Sequence, residues 1–252
     1  MTILQNAAEV LRLYGAGCSD LTVTEVVNRL SMPKANASRL LKAMREAGML
    51  ETIGNTRRHR PGRMMLDLPA AFRRSSDVIG RATETVAVLG RRFGHTCYVS
   101  VLEGREITAV ADFEGTNDLR VVSTIGRRLP AEKSSTGLAL LARRSEAEIH
   151  ALYGEDPGLG QLLDRLTRVR RDGYAYSSQE STPGVDAIGI AVADPAANEA
   201  ASICISYPHA VVSLEDRNRM LAALAEGATT IALELRDDAF VIPNIPQKGL
   251  TE

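Results

Sequence analysis

Apolar positions in residues 22–51 come in two short runs at helical spacing with a turn between them. Val23, Val26, Val27 and Leu30 form the first stripe. Thr22 and Glu25 ahead of it have capping-box spacing, in which each side chain satisfies a free backbone N–H at a helix start. Ser31-Met32-Pro33 interrupts the pattern; Ser31 can cap the next helix, and Pro33 fits a first helical turn, where no N–H partner is needed. In the second run Ala37, Leu40, Leu41 and Met44 fall at i, i+3, i+4 and i+7, which is one buried face. The opposite face carries Ala35, Ser38, Arg39 and Lys42, with Asn36 and Arg45 on its flanks, and Gly48 can close the helix in a left-handed cap. A short second helix with small and hydrogen-bonding residues near its start suits insertion into a DNA major groove.

Upstream, residues 3–14 predict a helix with Ile3, Ala7, Val10, Leu11 and Tyr14 on its buried face, ended by Gly15-Ala16-Gly17. Downstream, residues 49–53 read as a strand, 54–56 as a turn and 57–63 as a basic return strand, a small wing. Residues 68–93 predict one long linker helix with a stripe of Ile79, Ala82, Val86, Leu89 and Phe93, a seam on which two copies can pack. From Thr96 the period changes to two. Residues 96–102 and 106–111 read as a hairpin and 119–124 as a further strand. Ser134-Ser135-Thr136-Gly137 opens an apolar helix, Ser145 and Glu148 form a second capping box, and residues 159–171 give a third helix in this region. Residues 174–177, 187–193 and 200–207 are strands. A last helix starts near Ser213 with Leu221, Leu224, Ala228, Ile231 and Leu235 as its stripe, and the Pro-containing tail after Phe240 reads as loose. The order predicts an α+β chain: helices and a wing, a linker helix, then an antiparallel sheet flanked by helices.

Charge sharpens this division. Residues 1–75 hold 12 Lys and Arg against 6 Asp and Glu, whereas residues 76–252 hold 18 against 25, so the near-neutral total hides a basic front and an acidic remainder. Only the front is built to meet a polyanion. Cys18, Cys97 and Cys204 are odd in number and lie in no ligand spacing, which points to free thiols in a reducing cytoplasm and away from a disulfide framework or zinc site. No signal-peptide pattern and no run of about 18 apolar residues is present, so neither export nor a membrane span is expected. No cofactor is expected. The four histidines form no catalytic pattern and no Gly-x-Ser-x-Gly elbow occurs, which argues against an enzyme.

Four stretches carry a family resemblance: the winged helix at 22–63, GRRLPAEKSSTGLALLA at 126–142, RRDGYAYSSQESTPGVDAIGIAVAD at 170–194 and ICISYP at 203–208. Together, in this order, they resemble the IclR-type bacterial transcriptional regulators. The resemblance implies a winged helix-turn-helix over 1–67, a linker helix over 68–93, a GAF-like effector-binding domain over 94–240 and a loose tail over 241–252. It also implies homodimers, often homotetramers, on palindromic operator DNA. The chain departs from the family pattern where Lys133 and Ser134 follow Ala131-Glu132, where Leu138 replaces a common Lys, and where Ala187 replaces a frequent Cys.

Candidate DNA contacts are Lys34, Asn36, Ser38, Arg39, Lys42 and Arg45 on the second helix and Arg57, Arg58, His59 and Arg60 on the wing. Candidate effector contacts are Ser134, Ser135 and Thr136, whose hydroxyls and N–H groups sit at a helix start and favour an anion without a metal, with Leu138 beside them. Ser177, Ala187, Cys204 and Ser206 join them as the family's ligand-facing positions. The expected function is a ligand-responsive transcription factor, repression favoured over activation, that senses a small organic acid, with a ring-bearing catabolite favoured because Ala187 and Leu138 leave the site roomier or more apolar. The alternatives are a DNA-binding architectural protein without an effector and, behind it, an enzyme.

Overall fold

The structure, a computed structural model, describes residues 2–15, 17–122 and 125–245. The chain forms two compact units that divide between Ser75 and Ser76.

The first unit contains α1 (Ile3–Gly15), α2 (Val23–Leu30), α3 (Lys34–Glu46), a two-stranded ribbon of β1 (Leu50–Thr52) and β2 (His59–Pro61), and α4 (Met64–Arg74). The Thr22–Glu25 capping box is formed in both directions at the start of α2. Ser31 differs from expectation. It adopts a left-handed conformation (φ 50°) and closes α2, while Pro33 stands at the N-cap of α3 without a side-chain cap bond. With only three residues between two helices the chain must reverse sharply, and one left-handed residue does it. After α3, Gly48 (φ 76°) sends its N–H to the Arg45 carbonyl at 3.0 Å and Met49 sends its own to Met44 at 2.9 Å, a Schellman closure. Val10, Leu21, Val26, Ala37, Leu40, Leu41, Met44 and Leu50 make the core of this unit. Ile3, expected inside, is exposed, because the α1 stripe reaches the core only from Ala7 onward.

The linker expected as one helix over 68–93 is two, α4 and α5 (Asp77–Phe93). Ser76 between them is extended, and its hydroxyl caps the Ile79 N–H at 3.3 Å, so a good N-cap residue starts a new helix instead of continuing the old one. The proposed seam is also corrected. Ile79, Ala82, Val86 and Leu89 are all buried in the core of the second unit, since an apolar sheet face lies beneath them.

That sheet has six strands in the order β5-β4-β3-β8-β7-β6, all pairs antiparallel. They are β3 (Thr96–Glu103), β4 (Glu106–Phe113), β5 (Arg128–Pro130), β6 (Ala175–Ser178), β7 (Val185–Asp194) and β8 (Glu199–Pro208). α5 and α9 (Leu214–Leu235) cover one face around Val99, Ile188, Ile190, Ile203 and Ile205. The other face carries α6 (Ser135–Ala142), backed by α7 (Glu146–Tyr153) and α8 (Leu159–Asp172). Of the strand expected over 119–124, residues 119–122 are not extended into the sheet, and Ser123 and Thr124 lie outside the described residues. β5 takes the edge position instead. The expected loose tail is docked as far as residue 245: the Asn244 N–H donates to the Asp172 carbonyl at 2.9 Å, and Phe240 and Ile245 pack on the core. Residues 246–252 lie outside the described residues. No helix among the described residues is long and apolar enough to cross a membrane.

Two glycines set α6 against the sheet. A Cβ on Gly189 of β7 would stand 2.9 Å from the Ser135 carbonyl group and 3.0 Å from the Thr136 nitrogen, and one on Gly137 would stand 2.2 Å from the Ala131 oxygen. Gly189→Ala is therefore expected to destabilise the chain by about 1–3 kcal/mol through forced separation of helix and strand. Urea unfolding followed by circular dichroism measures it; an unchanged midpoint would show that α6 can rise without cost.

Candidate functional site

In the first unit the inward face of α3 is Ala37, Leu40, Leu41 and Met44, so Lys34, Asn36, Ser38, Arg39, Lys42 and Arg45 are all left exposed. The Arg39 Nη2 donates to Asn36 Oδ1 at 2.7 Å, which ties the exposed guanidinium to the helix and leaves its other donors for further partners. Lys42 stands 3.7 Å from Glu46, an exposed pair of little strength. Lys34, Arg45 and Arg57 have no ion pair among the described residues, so their charge is uncompensated.

On the wing, strand alternation separates the four basic residues. Arg57 is exposed at the turn. Arg58 pairs with Asp20, and Arg60 pairs with Glu51 at 2.6 Å. His59 is buried, a correction to its expected contact role. Its N–H and carbonyl exchange two 2.8 Å bonds with Leu21, and its carbonyl also accepts from the Tyr14 hydroxyl at 2.9 Å. Neighbours along a strand face opposite sides, so a residue flanked by two outward arginines must point in. Burial, with a smaller contribution from Arg45, holds the His59 imidazole below its usual range. Its Nδ1 is buried without a hydrogen-bond partner among the described residues. Burial pushes the Tyr14 phenol up to about 12, so it stays a neutral donor.

In the second unit the sheet register brings the predicted small residues together. Ser177, Ala187, Ser206 and Thr96 are successive partners across β6, β7, β8 and β3, and two residues along come Ala175, Gly189, Cys204 and Tyr98. Members two apart share a face. Above that face the start of α6 closes a cavity of about 350 Å³. Ser134, Ser135, Thr136, Ser177, Ala187, Cys204 and Ser206 all line it. The Ser134 Oγ accepts the Gly137 N–H at 3.0 Å, so this hydroxyl is spent as the helix cap. The helix geometry leaves the Ser135 and Thr136 N–H groups without intrahelical acceptors. Cys204 Sγ lies 3.3 Å from Ser206 Oγ, and burial pushes its thiol up to about 11, which keeps it neutral.

Leu138 does not belong to the cavity. It is buried on the other side of α6 among Ile149, Tyr153, Leu162 and Leu166, because by its fourth residue the helix has turned toward α8. The structure adds residues that sequence reasoning missed. Tyr98, Ser100, Ile107 and Ala109 enter from β3 and β4; Arg120, Val121, Val122, Arg127 and Leu129 from the segment before and within β5; Ser181 and Thr182 from the β6–β7 connection and Val185 from the start of β7. Tyr98 could have been found only from its pairing with Cys204, which no local pattern contains. Among the described residues the lining includes two arginines and no Asp or Glu. Among the described residues no group of His, Cys, Asp or Glu is arranged to hold a metal ion.

Comparison with known proteins places both units. A family model described as the bacterial transcriptional regulator IclR C-terminal region matches residues 71–233, and one for the IclR helix-turn-helix domain matches residues 3–54. The chain is 27% identical to the HTH-type transcriptional regulator BhcR of Paracoccus denitrificans, over 92% of this chain and 85% of that protein. It is 25% identical to the HTH-type transcriptional repressor AllR of Escherichia coli, over 85% of this chain and 82% of that one. Its fold is similar to the crystal structure of an IclR homolog from Microbacterium hydrocarbonoxydans complexed with 4-hydroxybenzoate, with a TM-score of 0.78, 20% identity and coverage of 94% and 100%.

The buried imidazole links this surface to stability. The unfolded chain takes up a proton on His59 near its ordinary value of 6.5, whereas the native state does so only at lower pH. The unfolded state therefore binds more protons in that window, and stability falls as pH drops through it. His95 in the second unit, lowered chiefly by burial, acts in the same direction. Unfolding free energies measured between about pH 7 and pH 5 should show a shallower slope in His59→Gln than in wild type. Equal slopes would mean that His59 is protonated freely in the native wing.

Proposed function

The chain belongs to the IclR family of bacterial transcriptional regulators, and from that premise we propose that it represses its target genes as a dimer on a palindromic operator and responds to a small organic acid, one carrying a ring, bound in the sheet cavity. The observation that carries the DNA half is the outward face of α3. Arg39 is prepositioned there, and Lys34 and Arg45 stand uncompensated beside it. A guanidinium matches the O6 and N7 acceptors of guanine in two bonds. On the wing, Arg57 is free to replace a counterion at a phosphate, while Arg58 and Arg60 must first leave Asp20 and Glu51.

The ligand half rests on the cavity. Free N–H groups at the start of α6 favour a carboxylate. Ile107, Ala109, Val121, Val122, Leu129, Val185 and Ala187 give apolar walls, and about 350 Å³ exceeds the needs of a two- or three-carbon acid. The 4-hydroxybenzoate complex of the Microbacterium hydrocarbonoxydans homolog supports an aromatic acid, and the likeness to the AllR repressor supports repression.

Fluorescence anisotropy on DNA from upstream of the chain's own gene tests both halves together. Arg39→Ala should cost about 1–3 kcal/mol and relax specificity at one base pair. Arg57→Ala should flatten the slope of log K against log salt by about 0.9. 4-Hydroxybenzoate should shift wild-type binding, and Ser135→Leu, which fills the cavity, should lose that response. Unchanged operator discrimination in Arg39→Ala would remove α3 as the reading element, and a normal response in Ser135→Leu would move the effector site elsewhere.

Assembly needs a new seam, since the α5 stripe is internal. Within the first unit, Met64, Leu68 and Phe72 share a face of α4 at i, i+4 and i+8, and all three are exposed, as are Ile3 and Leu4 on α1. Apolar side chains concentrated on two helices of one small unit fit a second copy of the same chain, which a palindrome also requires. Phe72→Asp should yield monomers by light scattering; an intact dimer would place the seam off α4.

A further inference from the structure

The cavity is asymmetric in charge. At one end the first turn of α6 lies directly on β7, as the contact at Gly189 shows. At the other end Arg127 and Arg120 reach the lining. Arg127 follows Gly126, whose N–H is bound by the Ala109 carbonyl of β4 at 2.9 Å. β4 and β7 are three strand positions apart, roughly 14 Å at about 4.8 Å per strand. The two ends therefore start from different strands of the sheet, with the apolar walls between them.

Arg127 is exposed and has no ion pair or hydrogen bond from its side chain among the described residues. Arg120 is partly engaged, its Nε 3.3 Å from Glu114 Oε1 and its Nη1 3.5 Å from the Asn117 carbonyl. Among the described residues no acidic side chain lines the cavity, although the unit as a whole is acidic. Between the ends, the hydroxyls of Ser100 and Ser177 belong to residues 1% and 3% exposed and have no hydrogen-bond partner among the described residues. Hydroxyls on a cavity wall with no protein partner are open to a ligand's hydrogen bond. A ligand with a single acid group at α6 would leave the Arg127 guanidinium without an anionic partner.

We propose that the effector is a dicarboxylic acid, with one carboxylate on the Ser135 and Thr136 N–H groups and the other on the Arg127 guanidinium, Arg120 beside it. The assignment rests on the acid-sensing reading above and narrows it. A rigid spacer such as a benzene ring with the two acids on opposite carbons, or a six-carbon chain, matches a site whose two anion-binding ends are separated by apolar walls.

Calorimetry of the full chain at neutral pH, with matched pairs, decides it. The pairs are terephthalate against benzoate and 4-hydroxybenzoate, and adipate against hexanoate. At least one diacid should bind about 10- to 100-fold tighter than its monoacid, the worth of one charge-assisted hydrogen bond to arginine. In Arg127→Gln that ratio should fall toward one, and Arg127→Lys should restore part of it; Arg120→Gln should lower it less. Thermal melting of each variant checks that it is folded. Monoacids binding as tightly as their diacids would overturn the proposal and leave the acid-sensing reading standing. If the diacids win but Arg127→Gln keeps the full ratio, the second carboxylate is not at Arg127 and the proposal fails. If none of the five acids binds, both this proposal and the acid-sensing reading fall.

Discussion

The sheet cavity depends on one close approach, the first turn of α6 against β7. Gly189 has no Cβ to hold the Ser135 carbonyl and Thr136 nitrogen away, and Gly137 lets the same turn sit on Ala131. A side chain at either position would lift the helix start from the sheet. The consequence is chemical as well as steric. N–H groups that a helix cannot satisfy internally are delivered over a floor of serine, alanine and cysteine at the cavity. The same approach explains why α6 is so short and so apolar. From Leu138 onward its side chains fill the core under α7 and α8, so one helix serves the cavity with its first turn and the core with the rest.

A comparable economy governs the first unit. Thr22 and Glu25 fix the start of α2, the Schellman closure at Gly48 fixes the end of α3, and Leu21 bonds both backbone groups of His59. The ribbon is therefore tied to the segment that precedes α2, not left as a free hairpin. Tyr14 adds a bond from α1 to the same carbonyl. Three elements converge on one residue of the wing, which fixes the position of the neighbouring arginines while their ends remain in solvent. Their ion pairs with Asp20 and Glu51 are surface pairs of modest strength, suited to being exchanged for phosphate.

The two units also differ in what they leave unsatisfied. The first exposes uncompensated cations on α3 and the wing and apolar side chains on α1 and α4. The second packs the apolar stripes of α5 and α9 against a sheet and has an arginine without an ion pair among the described residues, Arg127, at the cavity. Each imbalance sits where a polyanion, a second copy or a small anion can relieve it, which is the physical content of the charge division read from composition alone.

Much of this was legible in order along the chain. Helical spacing, two capping boxes and a change of period at Thr96 determine the α+β class, the helix-turn-helix and nearly all the strands, because each depends on residues within a few positions of one another. The exposed face of α3 follows from the same periodicity, and so does the helix start at Ser134. What only the tertiary structure decided depends on partners far apart in sequence. The α5 stripe could have been a dimer seam or a core until the sheet was seen to lie beneath it. His59 could have faced DNA until its pairing with Leu21 set the alternation of β2. Leu138 left the cavity because α8 lies beside it, and Tyr98 entered because its register partner is Cys204. Arg120 and Arg127 carry no local signal at all, since a loop arginine looks the same in sequence whether it faces water or a cavity. Periodicity states which residues share a face; only packing states what that face meets.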